Sequence, residues 1–361
     1  MSKPKLFSPG PINVTASTYE AMSAPMIGHR GKDFEELYAD IQPKLQTVAK
    51  TTQPVYISTS SAWGVMEASI RNLVQKKVLN LCCGAFSDKW YDVAQRCGKN
   101  AEKIQAEWGQ PIDPELVRAK LAEGGFDTVT LVHNETSTGV MNPLEEIIAV
   151  VKSFDDVLIV VDTVSSFSAV SVETEKLGID CLLAGVQKAL ALPPGITIFS
   201  LSPAAVERTQ STPDRGYYFD FMEFVNNGAK NNTPSTPPIT LIYGLQHKLN
   251  EILAEGLENR YARHEELNQM VTEWALKYGF EIFSPEGFRS KTLVTIANNL
   301  DIDVSLLVKT LREKHNFLIN GGYGKVKGST FRISNMGDET VETITELLDA
   351  LDDVMPSIIA K

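Results

Sequence analysis

Between residues 55 and 201 the chain alternates short apolar, β-branched runs with stretches whose apolar residues recur every three or four positions. The runs fall at 55–58, 78–82, 128–133, 157–162, 181–185 and 196–201. Several are apolar almost throughout, as in Val157, Leu158, Ile159, Val160 and Val161, which suits a strand covered on both faces in a mainly parallel sheet. Segments between them, such as 63–74 and 143–153, have the spacing of amphipathic helices and are expected to make right-handed crossovers. The pattern predicts an α/β fold with helices on both faces of the sheet.

After residue 201 the rhythm breaks. A polar region, 209–238, holds Asn226, Asn227 and Gly228 and then a Thr- and Pro-rich stretch at 233–238; it is expected to be loop, followed by a long helix from Ile239. From about residue 257 onward two helical runs, strands at 292–297 and 330–334 and a closing helix at 339–355 describe a small α+β domain. The organisation expected is an N-terminal arm over 1–17, a large domain over 18–255 and a small C-terminal domain over 256–361. A chain of 361 residues is long enough for two cores, which agrees with that division.

Composition narrows the function classes. With 43% hydrophobic and 22% charged residues and no apolar run near the roughly 20 residues of a membrane helix, a soluble protein without a membrane partner is expected. Residues 1–7 carry two lysines with no long apolar stretch behind them, so no secretory signal is expected and the cytoplasm is the expected compartment. A net charge of −11 opposes a general role in binding nucleic acid. The four cysteines, at 82, 83, 97 and 181, form no CxxC pair, so neither a metal site nor a disulfide framework is expected.

In a parallel α/β sheet, ligands collect beyond the carboxyl ends of the strands, so the residues after each run carry the chemistry. After 55–58 come Thr59, Ser60, Ser61, Ala62 and Trp63 at the start of a helix. They are placed to offer amides to a phosphate, or to form an ordinary Ser/Thr cap. After 78–82 stands Phe86, either a plate for a planar cofactor or a core ring. His133, Asn134, Glu135 and Thr136 follow the third run, with His133 read equally as an interior, hydrogen-bonded histidine. Asp162 ends the fourth run, where an ionised carboxylate is costly without a cationic partner, unless it merely caps the next turn. Gln187 and Lys188 follow the fifth, and a desolvated lysine there is a usable amine nucleophile and proton carrier. Phosphate donors, an aromatic plate, a buried carboxylate and an isolated lysine are together what holding and using pyridoxal phosphate requires.

With these residues in view the sequence resembles the class V aminotransferases of fold type I, the group of alanine–glyoxylate, serine–pyruvate and phosphoserine aminotransferases. The likeness runs nearly end to end: Ser8, Pro9, Gly10 and Pro11; Gly28, His29 and Arg30; Phe86; residues 134–139; Asp162 and Lys188, 26 positions apart; residues 256–260; and residues 331–334. It implies a large domain built on a mainly parallel, seven-stranded type of sheet and a small C-terminal α+β domain. It implies pyridoxal 5′-phosphate as cofactor, carried by Lys188 as a Schiff base, with Lys188 also moving the proton between substrate and cofactor. Asp162 is implied as the partner of the pyridine nitrogen, Phe86 as the ring stacked on the cofactor and Thr136 as the partner of its phenolic oxygen. Ser61, Ala62, Trp63 and Gln187 are implied at the phosphate, with Thr236 reaching a neighbouring subunit's phosphate in a homodimer. Arg332 is implied as the clamp on the substrate carboxylate, with Gly28 and His29 closing the substrate side; a surface arginine is the other reading of Arg332. Trp63 departs from the small or polar residue usual at its position, and Phe86 stands where many members have tryptophan.

The function so implied is transamination between alanine or serine and glyoxylate or pyruvate. A phosphoserine aminotransferase is the alternative, since residues 28–34 resemble its phosphate-holding segment, but Tyr323, Gly324 and Lys325 replace the second His–Arg pair. A desulfurase lacks its nucleophile, because no cysteine follows Cys181. A non-catalytic subunit on the same fold is opposed by the presence of both Asp162 and Lys188, and a nicotinamide-binding protein by the lack of a GxGxxG after the first strand.

Overall fold

The computed structural model describes residues 3–359; the expected arm and small domain also include 1–2 and 360–361, which lie outside the described residues. The apolar runs form six strands of a seven-stranded sheet. We label its strands β1 (Val55–Ser58), β2 (Val78–Cys82), β3 (Ala101–Gln105), β4 (Thr128–Val132), β5 (Leu158–Asp162), β6 (Cys181–Gly185) and β7 (Thr197–Leu201). Their spatial order is β1-β7-β6-β5-β4-β2-β3. All neighbours are parallel except β7, which runs antiparallel to both β6 and β1.

Two-sided burial explains the unbroken apolar runs. Along β5, Ile159 and Val161 join one core cluster and Leu158 and Val160 the other, so alternate side chains enter opposite helical layers. Strand β3 was not expected. Its sequence, Ala-Glu-Lys-Ile-Gln, carries no apolar run because it is the sheet's edge and is only partly buried.

The helices that concern the site are α1 (Lys32–Ala49), α2 (Ala62–Leu73) and α3 (Ala85–Arg96), with α4 (Phe221–Gly228) inside the segment expected to be loop. That expectation is corrected: Asp220 caps α4 through its side chain, and Phe221 and Phe224 bury against Phe199 of β7. The Asn226, Asn227 and Gly228 turn signal lies in the last turn of this helix rather than in a loop.

The long helix from Ile239 is present as Ile239–Glu255, followed by Leu257–Lys277. Beyond them an antiparallel sheet of four strands runs Glu281–Ile282, Leu293–Ala297, Thr330–Ser334, Asn320–Gly321. It is backed by helices Val304–His315 and Val341–Ile359 around a core of its own. The N-terminal segment is stitched to this part, since Lys5–Leu6 pairs with Phe317–Leu318 and Phe7 is fully buried in the same core. No helix among the described residues is long and apolar enough to cross a membrane.

Candidate active site

Eight of the expected residues line one cavity at the carboxyl ends of the central strands: Ser61, Ala62, Trp63, Phe86, Thr136, Asp162, Gln187 and Lys188. Asp162 closes β5. Its Oδ1 accepts from the backbone N–H of Val164 at 3.0 Å and its Oδ2 from the indole Nε1–H of Trp90 at 3.1 Å. Burial nevertheless pushes the carboxyl up to about 6.

Lys188 stands three residues past β6 and is 9% exposed. Its Nζ donates to the carbonyl of Pro9. Burial first, and then the Arg332 charge, press its amine down to about 8, against the pull of Asp162 and Glu135. Gly10 makes room for it: a Cβ there would lie 2.6 Å from Lys188 Cδ, and the backbone φ of +113° also favours glycine.

Around this pair the cavity has distinct walls. Ser61 occupies the N-cap position of α2 without a side-chain cap bond, so its hydroxyl does not perform the ordinary capping role, and the helix opens onto the cavity. The Phe86 ring has two aromatic neighbours, Trp63 at 6.1 Å and 28° and Tyr323 at 5.5 Å and 17°, with Lys188 Nζ 5.9 Å from its centroid.

The buried Glu135 fixes the wall that carries Phe86. Its carboxylate accepts from Ser87 N at 2.9 Å, Ser87 Oγ at 3.0 Å and Ser137 Oγ at 2.7 Å, and so holds the start of α3. Gly84 permits the approach, because a Cβ there would meet Glu135 Cγ at 2.4 Å.

Arg332 is buried on the small sheet, which removes the surface reading. Its Nη1 donates to Thr136 O at 3.1 Å and its Nε to Gly321 O at 3.2 Å, and burial lowers its guanidinium to about 10. The guanidinium carbon lies 5.7 Å from the Tyr323 ring centroid. It stands behind Thr136 rather than in the cavity lining.

Gly28, His29 and Thr236 are not brought to this cavity within the chain. His29 Nε2 and Thr236 Oγ1 meet each other, 3.3 Å apart, in an exposed position. Neighbouring Arg30 donates to Asn232 Oδ1, Thr233 O and Pro234 O at 2.8, 2.7 and 3.0 Å. His133 is an interior residue: it is bonded to Ser166 Oγ at 2.9 Å, and burial holds its imidazole neutral with a pKa near about 4.

Sequence reasoning overlooked Trp90, and it assigned no role in the main reading to Tyr323. Trp90 is four residues past Phe86 on one helix, a spacing that puts both on the same face and was the available signal. Tyr323 gave none, since it reaches the site only through the small sheet.

The arrangement joins a nucleophilic amine, a buried carboxylate, an aromatic plate and an anion-accepting helix start, which is equipment for amine chemistry on a planar, anionic group. The family model for class V aminotransferases matches residues 17–345. An uncharacterised aminotransferase of Methanocaldococcus jannaschii is 36% identical over 93% of this chain and 88% of its own length. The serine–glyoxylate aminotransferase of Methylorubrum extorquens is 32% identical over 92% of this chain and 86% of its own. The solved alanine–glyoxylate aminotransferase of Nostoc superposes with a TM-score of 0.93 at 30% identity, covering 98% of this chain and 96% of the other. Sequence, fold and relatives agree, and the chain belongs to the class V aminotransferases.

Proposed function

We propose that this enzyme transfers the amino group of alanine or serine to glyoxylate or pyruvate, with pyridoxal 5′-phosphate held in the cavity between Phe86, Asp162 and Lys188. The observation that carries the reading is the buried pair itself: Asp162, with both oxygens oriented by donors, and Lys188 line one cavity, where burial raises the carboxyl and lowers the amine. When bound there, the cofactor supplies an electron sink for the bond broken at the substrate's α carbon.

The chain's own residues do the rest. Asp162 would hold the proton of the cofactor's ring nitrogen, which an ionised carboxylate with both oxygens already oriented can do without reorganisation. Lys188 would carry the cofactor through its amine and, once freed, would serve as the base that takes the proton from the substrate's α carbon. Its lowered basicity leaves more free amine near neutral pH than an exposed lysine has. Phe86 would cover the ring, Thr136 would meet the phenolic oxygen, and Ser61, Ala62, Trp63 and Gln187 would receive the phosphate, all of them lining the one cavity. The donor set therefore fits the group.

Arg332, bonded to the Thr136 carbonyl just behind the cavity wall, would orient the substrate carboxylate by its planar fork when substrate binds. Arg332→Lys is expected to raise KM for both amino donor and 2-oxo acceptor by about 10- to 100-fold, with the cofactor's visible absorbance retained. Unchanged KM values in steady-state assays would remove Arg332 from the site.

Gly28, His29 and Thr236 serve a second copy in a homodimer, a role supported by their exposed clustering away from this chain's cavity. The division into arm, large and small domains at 1–17, 18–255 and 256–361 is supported by the separate core of the C-terminal part. With its charge of −11 the enzyme works without nucleic acid, in the cytoplasm.

Phosphoserine is the second donor to weigh, and the side chains disfavour it. Arg30 is committed to Asn232, Thr233 and Pro234, and Lys325 is turned to Asp88 at 3.8 Å and over the Trp108 ring at 5.0 Å. The deciding experiment adds L-alanine, L-serine and L-phosphoserine separately to the holoenzyme and follows loss of the visible band. Bleaching by alanine or serine is expected; bleaching by phosphoserine alone would install the second reading.

A further inference from the structure

Each oxygen of Asp162 has one hydrogen-bond donor, and the two donors differ in kind. The Val164 amide is supplied by the same chain turn, two residues away. The Trp90 indole comes from α3, 72 residues earlier, and is buried to 1% exposure. An indole N–H only donates and does not titrate in the physiological range, so it favours the ionised carboxylate and cannot hand it a proton.

Trp90 is also held from several sides. Its ring shares a core cluster with Val132, Leu158, Val160 and Leu183, side chains from the three central strands β4, β5 and β6. The helix that carries it is fixed at its start by Glu135, through Ser87 N and Oγ. Phe86 and Trp90 are one turn apart on that helix, so a single rigid element places both the aromatic plate and the donor to the carboxylate.

We propose that Trp90 is a positioning residue for the aminotransferase reaction, its indole N–H orienting Asp162 and keeping it ionised against the cofactor's ring nitrogen. The inference rests on the reading of Asp162 given above. The charged and titratable groups around Asp162 are Lys188 beyond β6, Glu135 beyond β4, and His133, whose backbone N–H bonds to the Asp162 carbonyl. Burial keeps His133 neutral with its imidazole on Ser166, and the Lys188 amine is carried by the cofactor in the holoenzyme, so the acid side of the activity profile is the place to read Asp162.

Three forms of the holoenzyme test this: Trp90→Phe, a form with the benzothiophene analogue of tryptophan at position 90, and Asp162→Asn. The analogue keeps the bicyclic ring and replaces the N–H with a sulfur that cannot donate, so it carries the test if the phenylalanine variant does not fold. Turnover of L-alanine or L-serine with glyoxylate is measured against pH. Both position-90 forms are expected to keep the cofactor's visible band and a KM within about twofold, while kcat falls about tenfold, as loss of one hydrogen bond to a charged group predicts. The acid limb of kcat should move up by about one pH unit, because the carboxylate without its donor holds its proton longer. A purely structural tryptophan would lower the thermal midpoint without moving that limb. Unaltered kcat and acid limb in the analogue form, with activity lost in Asp162→Asn, would overturn this inference alone; full activity in Asp162→Asn would overturn the reading beneath it as well.

Discussion

Lys188→Ala is expected to lower kcat/KM for the amino donor by about 10⁴-fold, the range of a lost proton-transfer group that is also the covalent carrier. Among the residues lining the cavity Lys188 is the one lysine, so no second amine is at hand to replace it. Coupled assays of the variant reconstituted with pyridoxal phosphate measure the loss; a variant within tenfold of the parent would remove Lys188 from the chemistry.

The same residue is expected to cost the cofactor-free protein stability. Its folded pKa of about 8 lies below the ordinary lysine value of about 10.4, so between those pH values the unfolded chain binds more protons. Stability of the parent therefore rises with pH through that window, and the penalty is fully present below about pH 8. Lys188→Met should be more stable than the parent at pH 7 by about 2 kcal/mol, after allowance for the lost bond to Pro9, and the gain should fade toward pH 10 or so. Denaturant unfolding of both cofactor-free proteins at the two pH values reads this directly, and equal midpoint differences at both would mean the ammonium is not desolvated. The site thus holds strain in the form of a poorly solvated amine, which is the same property that makes the amine reactive.

Asp162→Asn is the second large effect: kcat is expected to fall by about 10²- to 10³-fold with KM changed far less, because the lost charge acts on the reacting system rather than on substrate binding. The carboxyl's folded pKa of about 6 lies above the ordinary value of about 3.9, so the unfolded chain binds fewer protons between them. Parent stability accordingly falls as pH rises through that interval. Above about pH 6 the amide variant escapes this penalty, yet its Nδ2 would face the Trp90 N–H donor to donor while Oδ1 keeps Val164. The two effects oppose each other, so the thermal midpoint of the cofactor-free variant should stay close to the parent's while turnover collapses. A fall in midpoint matching the fall in kcat would mark Asp162 as a structural group instead.

Sequence alone determined the parts of this protein that depend on local order. Strands buried on both faces must be apolar throughout, so the runs at 55–58, 78–82, 128–133, 157–162, 181–185 and 196–201 announced themselves. Because ligands gather where such strands end, the residues after them, Ser61, Phe86, Thr136, Asp162 and Lys188, could be named before any of them was seen to share a cavity. The edge strand Ala101–Gln105 escaped because one exposed flank lets polar residues replace the apolar signal. Helix Phe221–Gly228 escaped because its turn-forming Asn and Gly fall in its last turn, while the packing of Phe221 and Phe224 on Phe199 anchors its first half and overrides local preference.

What only the tertiary structure decided are the contacts between distant segments. Pro9 accepts from Lys188 across 179 residues and Trp90 donates to Asp162 across 72. Arg332 meets Thr136 across 196, and Tyr323, just past the Asn320–Gly321 strand of the small sheet, stacks on Phe86 of α3. No spacing rule encodes such pairs, because each is set by how whole sheets and helices pack. Their effect is on charge: burial moves the Asp162 carboxyl up and the Lys188 amine down, shifts that no residue spacing announces.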